Sequence, residues 1–538
     1  MKERHKPYPL YRLDEMNSFK ELLISQAMHY PHKTAFTYTK NKKEIKIDRL
    51  RLLKDVKALS TWLIAHGLKN QNIAILSENS YEWIVAFLAI VISGNIAVPV
   101  DKELDGQQAY DMMVRTDVSF VFASHLYSDT LDLFGDKMQS AILQNLFELI
   151  EEGQAAIDQG STAFEDVQVD PNQTAAIFFT SATSGPSKGV MLSHKNILCD
   201  INSACKNFQL EGDTLALLPF HHCFGLITAI FMVFNYAGGT YINTSLKRAK
   251  SDFKKAKPQT IFLVPLFVEN FHKSIWHAIV KSGKEKKVRQ MMHYSNKCLK
   301  YGLDVRKHLF ASILDEFGGN LEYIICGGAM LDEAYIADFA SWGIQILNGY
   351  GITECSPVVA VNRNHFVVAG SVGPILDAAK IKIGDDNEIL VQGDMVMQGY
   401  YKDEEATKKA LASGWFHTGD LGSMDALGCL HLLGRKKNLI ILSNGENVSP
   451  EQIELALSKD KGICEVIVYA KNNQICASIY PDKEYINDES YFQDLLESYN
   501  RSVPFCRRIA SLELRKNEFE KNTTQKILRY KVTGEVYE

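Results

Sequence analysis

From residue 19 to residue 123 short apolar runs alternate with longer segments of helical period, and this alternation limits the fold more than any single motif. Residues 19–30, 50–66 and 81–92 carry apolar side chains at helical spacing, whereas 34–38, 72–76, 96–100 and 119–123 are runs of strand length. A chain that alternates in this way buries its strands under helices, so stacked α/β sheets are expected. Segment 83–92 is greasy throughout, but it is about ten residues long where a bilayer crossing needs about 20, and it reads as a buried helix. The alternation resumes with helices at 196–208 and 227–236, strands at 214–218, 260–264, 323–326 and 344–347, and one long helical stretch over about 266–317. Beyond Pro374 short strands with turns (380–383, 388–391) predict a smaller β-rich unit. After Gly434-Arg435-Lys436-Lys437 the pattern changes again, to a compact α+β module.

The expected organisation is therefore a large N-terminal part, 1–434, of two α/β subdomains with a β-rich subdomain near 374–434, followed by a small α+β domain at 435–538. A chain of 538 residues exceeds what one core supports. With 46% hydrophobic and 23% charged residues and a net charge of -5, the composition excludes disorder and a generally nucleic-acid-binding surface. The ten cysteines are scattered without a CxxC pair, and Cys326, Cys464 and Cys476 fall in apolar runs, which suits free thiols in a reducing compartment. The start, MKERHKPYPLYRL, lacks the apolar core of a secretory signal, so a cytoplasmic location is expected and no transmembrane segment is predicted. The basic run Lys281, Lys284, Lys286, Lys287 and Arg289 reads first as a solvated helix face; the other reading is a docking site for an acidic partner or for lipid head groups at a membrane surface.

Residues 178–193, FFTSATSGPSKGVMLS, join an apolar strand to a run of small and turn-forming residues that ends at Lys188. Hydroxyls at Thr180, Ser181, Thr183 and Ser184, close backbone approach at Gly185, and the Lys188 ammonium together suit phosphate oxygens. An ordinary surface loop has the same composition, and the spacing does not match GxxxxGK[ST], so a P-loop nucleotidase is not implied.

Five further strings resolve the ambiguity. They are LPFHHCFG (218–225), NGYGITE (348–354), WFHTGD (415–420), GRKKNLIILSNGENVSPEQIE (434–454) and KNTTQKILR (521–529). In this order the six strings resemble the adenylate-forming, AMP-binding superfamily of acyl-CoA synthetases, peptide-synthetase adenylation domains and firefly-type luciferases, over about 19–530. Any one string arises by chance; six in order do not. The resemblance implies that a carboxylate attacks the α-phosphate of ATP, pyrophosphate leaves, and a thiol then attacks the acyl-adenylate. It assigns Thr180, Ser181, Thr183, Ser184, Gly185 and Lys188 to the triphosphate, and Glu354 with Thr180 to Mg²⁺. The base falls to Tyr350, Gly328 and Ala329 together with Asn348, Gly351 and Thr353, and the ribose side to Asp420 and Arg435. Lys526 would bridge the attacking carboxylate and the α-phosphate, His222 would gate the acyl pocket, and Lys437 would be the hinge of a mobile C-terminal domain. Gly445, Glu446 and Asn447 would face coenzyme A. Taken alone, Lys526 is an ordinary surface lysine and His222 an ordinary buried histidine; only the strings around them change that.

Two positions depart from the family pattern, Ala182 and Gln525, each standing where a glycine is usual, which leaves a catalytically weak nucleotide- or acyl-binding pseudoenzyme as an alternative. The insertion between Pro265 and Gly327 is similar to that of long- and medium-chain fatty acyl-CoA synthetases. Residues 226–238 contain no acidic residue to pair with a substrate amine, which suits a fatty acid better than an amino acid. The expected function is a fatty acyl-CoA synthetase using ATP, Mg²⁺ and CoA. The alternatives are transfer to an acyl carrier protein and a luciferase-type oxygenase.

Overall fold

The structure is a computed structural model and describes residues 8–133, 138–180, 187–210, 212–441, 447–471, 474–486, 488–521 and 527–533. The sequence-predicted positions Ser181, Ala182, Thr183, Ser184, Gly185, Gly445, Glu446, Gln525 and Lys526, and the side chain of Asn447, lie outside them.

Up to Arg435 the strands run in chain order as β1 (Thr34–Lys40), β2 (Lys43–Asp48), β3 (Asn72–Leu76), β4 (Ile96–Pro99), β5 (Val118–Ala123), β6 (Gln139–Ile142), β7 (Thr174–Phe179), β8 (Gly189–Ser193), β9 (Thr214–Ala216), β10 (Thr240–Ile242), β11 (Thr260–Leu263), β12 (Tyr323–Cys326), β13 (Gln345–Gly351), β14 (Val358–Val361), β15 (Lys380–Ile383), β16 (Glu388–Gln392), β17 (Gly399–Tyr400), β18 (Phe416–Met424) and β19 (Leu430–Arg435). A seven-stranded sheet has the order β17-β8-β7-β4-β3-β5-β6, and an eight-stranded sheet the order β14-β13-β12-β11-β9-β10-β1-β2. Strands β15, β16, β18 and β19 form an antiparallel sheet of their own. The fold class is that of stacked α/β sheets with a β-rich unit, followed by a smaller α+β region.

The helix Tyr81–Ile92 is buried on every side, which is why its sequence is apolar all round rather than striped. Ser80 caps it by accepting a hydrogen bond from the Trp83 amide. Trp83 stacks on Phe87, and Phe87 packs in turn against Phe19 and Phe231, so one aromatic cluster joins three helical segments. The helix His194–Asn207 starts with a capping box between Ser193 and Asn196, and the Asn196 amide group also donates to the carbonyls of Asp394 and Val396. This fixes the chain that leads into β17.

Three stretches differ from the sequence expectation. The long helical stretch is broken into Pro265–Lys281 and Glu285–Lys300, separated at Ser282 to Lys284, where Gly283 takes φ 67°, followed by the short helices Arg306–Leu309 and Ala311–Leu314 and a 3-10 turn at Asp315–Phe317. The buried helix near 227–236 is a short α-helix, Cys223–Leu226, then a π-helical segment, Ile227–Met232, then Val233–Asn235. Strand β2 carries alternating charge, KEIKID, and pairs antiparallel with β1 at the end of the large sheet. None of the ten cysteines is in a disulfide. Among the described residues no helix is long and apolar enough to cross a membrane.

After β19 a 3-10 turn at Lys436–Asn438 leads into the C-terminal module, which contains β20 (Ile440–Ile441), β21 (Asn447–Val448), β22 (Ile463–Lys471), β23 (Gln474–Pro481) and β24 (Ser511–Leu514). The order β22-β23-β24 is backed by the helices Pro450–Leu457 and Glu489–Ser502, around a core containing Ile453, Val468, Ile479 and Phe492. An ion pair of 3.1 Å between Lys459 and Asp332 ties this module to the larger part.

The helices Arg49–Ala65 and Leu146–Asp158 touch through Gly153, whose Cβ, if present, would stand 2.0 Å from the Ala58 carbonyl oxygen. Gly153→Ala is predicted to destabilise the protein by about 1–3 kcal/mol, read as a lowered midpoint in urea, because neither helix can yield without repacking.

Candidate active site

A cavity of about 640 Å³ opens beyond the carboxyl ends of β11, β12 and β13. Ligands of α/β sheets bind there because strand ends expose backbone groups and loops, and the volume suits a cofactor-sized molecule. Its apolar wall includes Phe208, Thr228, Met232, Phe262 and Ile325. The polar end is formed by Tyr350, Glu354, Asp420, Arg435 and Lys437, and the C-terminal module closes it with Glu454, Glu465, Lys521 and Arg529.

The polar end is organised by cross-strand pairing. Asp420 on β18 and Arg435 on β19 are register partners, so the Arg435 Nε lies 2.9 Å from Asp420 Oδ1. The other carboxylate oxygen accepts a 2.8 Å hydrogen bond from the Tyr350 hydroxyl on β13. Tyr350 is buried, and burial together with the Asp420 charge pushes its phenol well above the ordinary value, so it donates. Gly351 is needed for close approach: a Cβ there would stand 2.1 Å from the Pro357 carbonyl oxygen.

Glu354 is buried at the start of the next turn, Thr353–Cys355, and burial pushes its carboxyl above the ordinary glutamate value. One oxygen accepts a 2.9 Å hydrogen bond from the Tyr400 hydroxyl; the other has no hydrogen-bond partner. Glu354 lines the cavity, and a buried carboxylate oxygen without a partner on such a residue fits a hard cation such as Mg²⁺. Tyr400 was not foreseen from the sequence. Its own string, Gly399-Tyr400-Tyr401, carries no chemical signal, and its partner Glu354 is 46 positions away.

Residues 181–186 are spanned by an antiparallel pair, β7 and β8, closed by the Thr180 amide donating to the Lys188 carbonyl (3.0 Å) and the Lys188 amide donating to the Thr180 hydroxyl (3.3 Å). The Lys188 ammonium lies 4.8 Å from the Tyr400 ring centroid, a cation–π contact that links this hairpin to Glu354.

Gly328, with φ 91°, and Ala329 line the cavity, as do Thr180, Thr353, Gly351 and His222. Asn348 does not reach it; its carbonyl accepts from the Asn362 amide and so joins β13 to the chain beyond β14. Beside His222, the Nε2 of buried His221 is 3.1 Å from Asp101 Oδ1. Lys437 lies exposed at the module junction, where it borders the cavity beside Arg435. The apolar segment 223–235 contributes no acid to the cavity, but Glu269, from the helix Pro265–Lys281, does, with its carboxyl raised by burial.

The comparisons agree with this geometry. A family model described as AMP-binding enzyme matches residues 23–401, and the chain belongs to that family. Long-chain-fatty-acid–CoA ligase FadD15 of Mycobacterium bovis is 27% identical over 441 residues, covering 77% of this chain and 73% of that protein. The chloroplastic long-chain-fatty-acid–acyl-carrier-protein ligase AEE15 of Arabidopsis thaliana is 27% identical, covering 88% of this chain and 77% of its own. Among solved structures, o-succinylbenzoate CoA synthetase of Bacillus subtilis with its acyl-adenylate intermediate superposes with a TM-score of 0.75 at 21% identity, over 97% of this chain and 98% of that one. ATP-bound MatB of Rhodopseudomonas palustris gives 0.77 at 21% identity, over 96% and 98%. At these identities the structures show a shared fold.

The raised Glu354 carboxyl predicts a pH signature. A folded-state pKa above the unfolded one means that the folded protein binds more protons between the two, so stability falls as pH rises through that window. Relative to Glu354→Gln, the wild type should therefore lose stability from the ordinary glutamate range toward neutrality. Mg²⁺ with nucleotide should restore stability to the wild type alone, which denaturant titration at several pH values measures.

Proposed function

We propose that this protein is an ATP-dependent acid–thiol ligase that activates a medium- or long-chain fatty acid and passes it to coenzyme A. The observation that carries the reading is a single cavity with an apolar wall at one end and, at the other, Asp420, Arg435, Tyr350 and the half-satisfied Glu354. In the first step a carboxylate oxygen of the acid bonds to the α-phosphorus of ATP, the bond to the bridging oxygen breaks, and pyrophosphate leaves. In the second, a thiol sulfur bonds to the acyl carbon, AMP leaves with the bonding pair, and the thiol proton passes to solvent.

Charge develops on phosphate oxygens, so the work of the chain is positioning and electrostatic stabilisation. Asp420 would accept from the ribose hydroxyls, its Tyr350 hydrogen bond being exchangeable for them, while Tyr350, Gly328 and Ala329 border the base. Thr180, Ser181, Thr183, Ser184, Gly185 and Lys188 would hold the phosphates, and Arg435 would add a second nucleotide contact. Glu354 and Thr180 would hold Mg²⁺, which when bound supplies charge neutralisation to the phosphates. Lys526 would neutralise the forming bond. His222 borders the acyl end as its gate, and Lys437 sits at the junction about which the module 435–538 would turn to bring 445–447 to the thiol.

A fatty acid is favoured over an amino acid because the wall at 223–235 is apolar and the one acid nearby, Glu269, is held toward its neutral form. A second acceptor, an acidic acyl carrier protein, is favoured by exposed Lys281, Lys284, Lys286, Lys287 and Arg289, although Arg289 is partly engaged by Glu285.

The deciding assay is acid-dependent pyrophosphate release from ATP, across acids from acetate to oleate and with amino acids as controls. Release is predicted with the longer fatty acids, none with amino acids, and a loss of about 10²-fold or more in Lys526→Ala. Nucleotide binding without release for any acid would remove the reading. CoA and holo-carrier protein, compared as acceptors, separate the two thiols.

A further inference from the structure

Strands β4 and β9 belong to different sheets, and the loops beyond their carboxyl ends bring together a cluster that the ligase reading uses only through His222. Asp101 follows β4 of the seven-stranded sheet, whereas His221 and His222 follow β9 of the eight-stranded sheet, just before the helix Cys223–Leu226. One nitrogen of each imidazole and one Asp101 carboxylate oxygen lie within 4.8 Å of one another, the one such trio of histidine, cysteine or acidic side chains among the described residues.

The cluster is held in place from outside. The Asn79 side chain braces the histidine loop, its amide group donating to the Leu218 carbonyl at 2.8 Å and its oxygen accepting from the Phe220 amide at 3.0 Å. Asp101 is set by the Glu103 amide, which donates to Oδ1 at 3.0 Å. The two imidazole rings stand 4.3 Å apart between centroids at 53°, so consecutive residues present two nitrogens to one carboxylate. His221 is 5% exposed, and its Nε2 has no hydrogen-bond partner among the described residues although Asp101 Oδ1 is 3.1 Å away. A buried ring nitrogen without a partner is destabilising, and a cation between it and the carboxylate would satisfy both.

An ion bonded at about 2.0–2.2 Å holds neighbouring ligands roughly 3.0–3.4 Å apart in octahedral or tetrahedral geometry, a spacing that His221 and Asp101 already have. Asp101 and His222 are only partly buried, so small side-chain rotations can bring in the third ligand. Two imidazoles with a carboxylate select a first-row transition ion over Mg²⁺, which prefers oxygen ligands alone.

We propose that Asp101, His221 and His222 form a site for a divalent transition-metal ion, Zn²⁺ by its ligand set, separate from the Mg²⁺ position proposed at Glu354. Three protein ligands leave a coordination position for water or a further donor. Because His222 also lines the large cavity, an ion on this trio would fix it there. The consequence rests on the reading of His222 as the acyl gate: a fixed gate admits acid more slowly, so the ion acts as a brake on adenylate formation.

The test begins with metal alone. Full-length protein stripped with a chelator is titrated with Co²⁺, whose visible absorption reports its ligands, and then with Zn²⁺ in competition. One equivalent of Co²⁺ is expected to bind without the thiolate charge-transfer band that cysteine ligands would give, and Zn²⁺ is expected to displace it. Asp101→Asn and His221→Gln should each weaken binding by about 10²-fold or more, since changes to residues that merely support a ligand already cost about 10–100-fold. Circular dichroism checks that both variants fold; should His221→Gln not fold, Asp101→Asn decides alone. In the release assay Zn²⁺ should lower acid-dependent pyrophosphate release by the wild type in proportion to the sites filled, and at the same concentration leave release by Asp101→Asn where it was without zinc. No bound ion would leave His221 and Asp101 as a simple ion pair and overturn the site, as would a thiolate spectrum or equal affinity in the wild type and the variants. Equal inhibition of the wild type and Asp101→Asn would overturn the brake. Absence of acid-dependent release from the wild type is a different failure: it would remove the ligase reading, while the metal titration still decides the site.

Discussion

The contacts of one buried carboxylate hold the site together. Asp420 takes a hydrogen bond from Tyr350, which belongs to the eight-stranded sheet, and an ion pair from Arg435, which ends the four-stranded sheet immediately before the 3-10 turn into the C-terminal module. Three parts of the chain therefore meet at one side chain. A buried carboxylate is costly to desolvate, and both partners offset that cost; removing Arg435 would leave the charge without compensation, and removing Tyr350 would leave one oxygen without its hydrogen bond. The carboxylate is nonetheless ready for a ligand, because ribose hydroxyls can replace the Tyr350 hydroxyl without leaving it bare.

Glu354 repeats this arrangement with one contact fewer. Tyr400 comes from β17 at the end of the seven-stranded sheet, so its hydrogen bond to Glu354 and the Lys188 ammonium over its ring join that sheet to the cavity. One oxygen of Glu354 is left with no hydrogen-bond partner, and burial holds the carboxyl toward its neutral form. A cation would reverse that preference. Glu354 is thus built incomplete in a way that a metal would complete, whereas Asp420 has both oxygens engaged and holds one exchangeable hydrogen bond.

Much of the architecture is legible in the sequence because the sequence is locally consistent. The strand Asn72–Leu76 and the helix Tyr81–Ile92 follow directly from apolar runs of the right length, and the six strings single out His222, Tyr350, Glu354, Asp420, Arg435 and Lys437, which the structure places around one cavity. What is not legible has physical causes. Strand β2 alternates charge because it lies at a sheet edge, so no apolar run marks it. The π-helical segment Ile227–Met232 differs from an α-helix by one hydrogen-bond step that leaves the apolar composition unchanged. Tyr400 carries no motif of its own. Its meaning lies in a partner 46 positions away, and such a pairing exists only once the sheets have formed.

The account stands on the claim that Asp420 and its partners form the nucleotide end of the cavity. A crystal structure with AMP and Mg²⁺ tests it most directly. The account predicts AMP inside the cavity, with its ribose hydroxyls on Asp420 in place of the Tyr350 hydroxyl and its base beside Gly328 and Ala329. AMP bound elsewhere, with the hydrogen bond between Tyr350 and Asp420 intact and the cavity filled only by water, would contradict it.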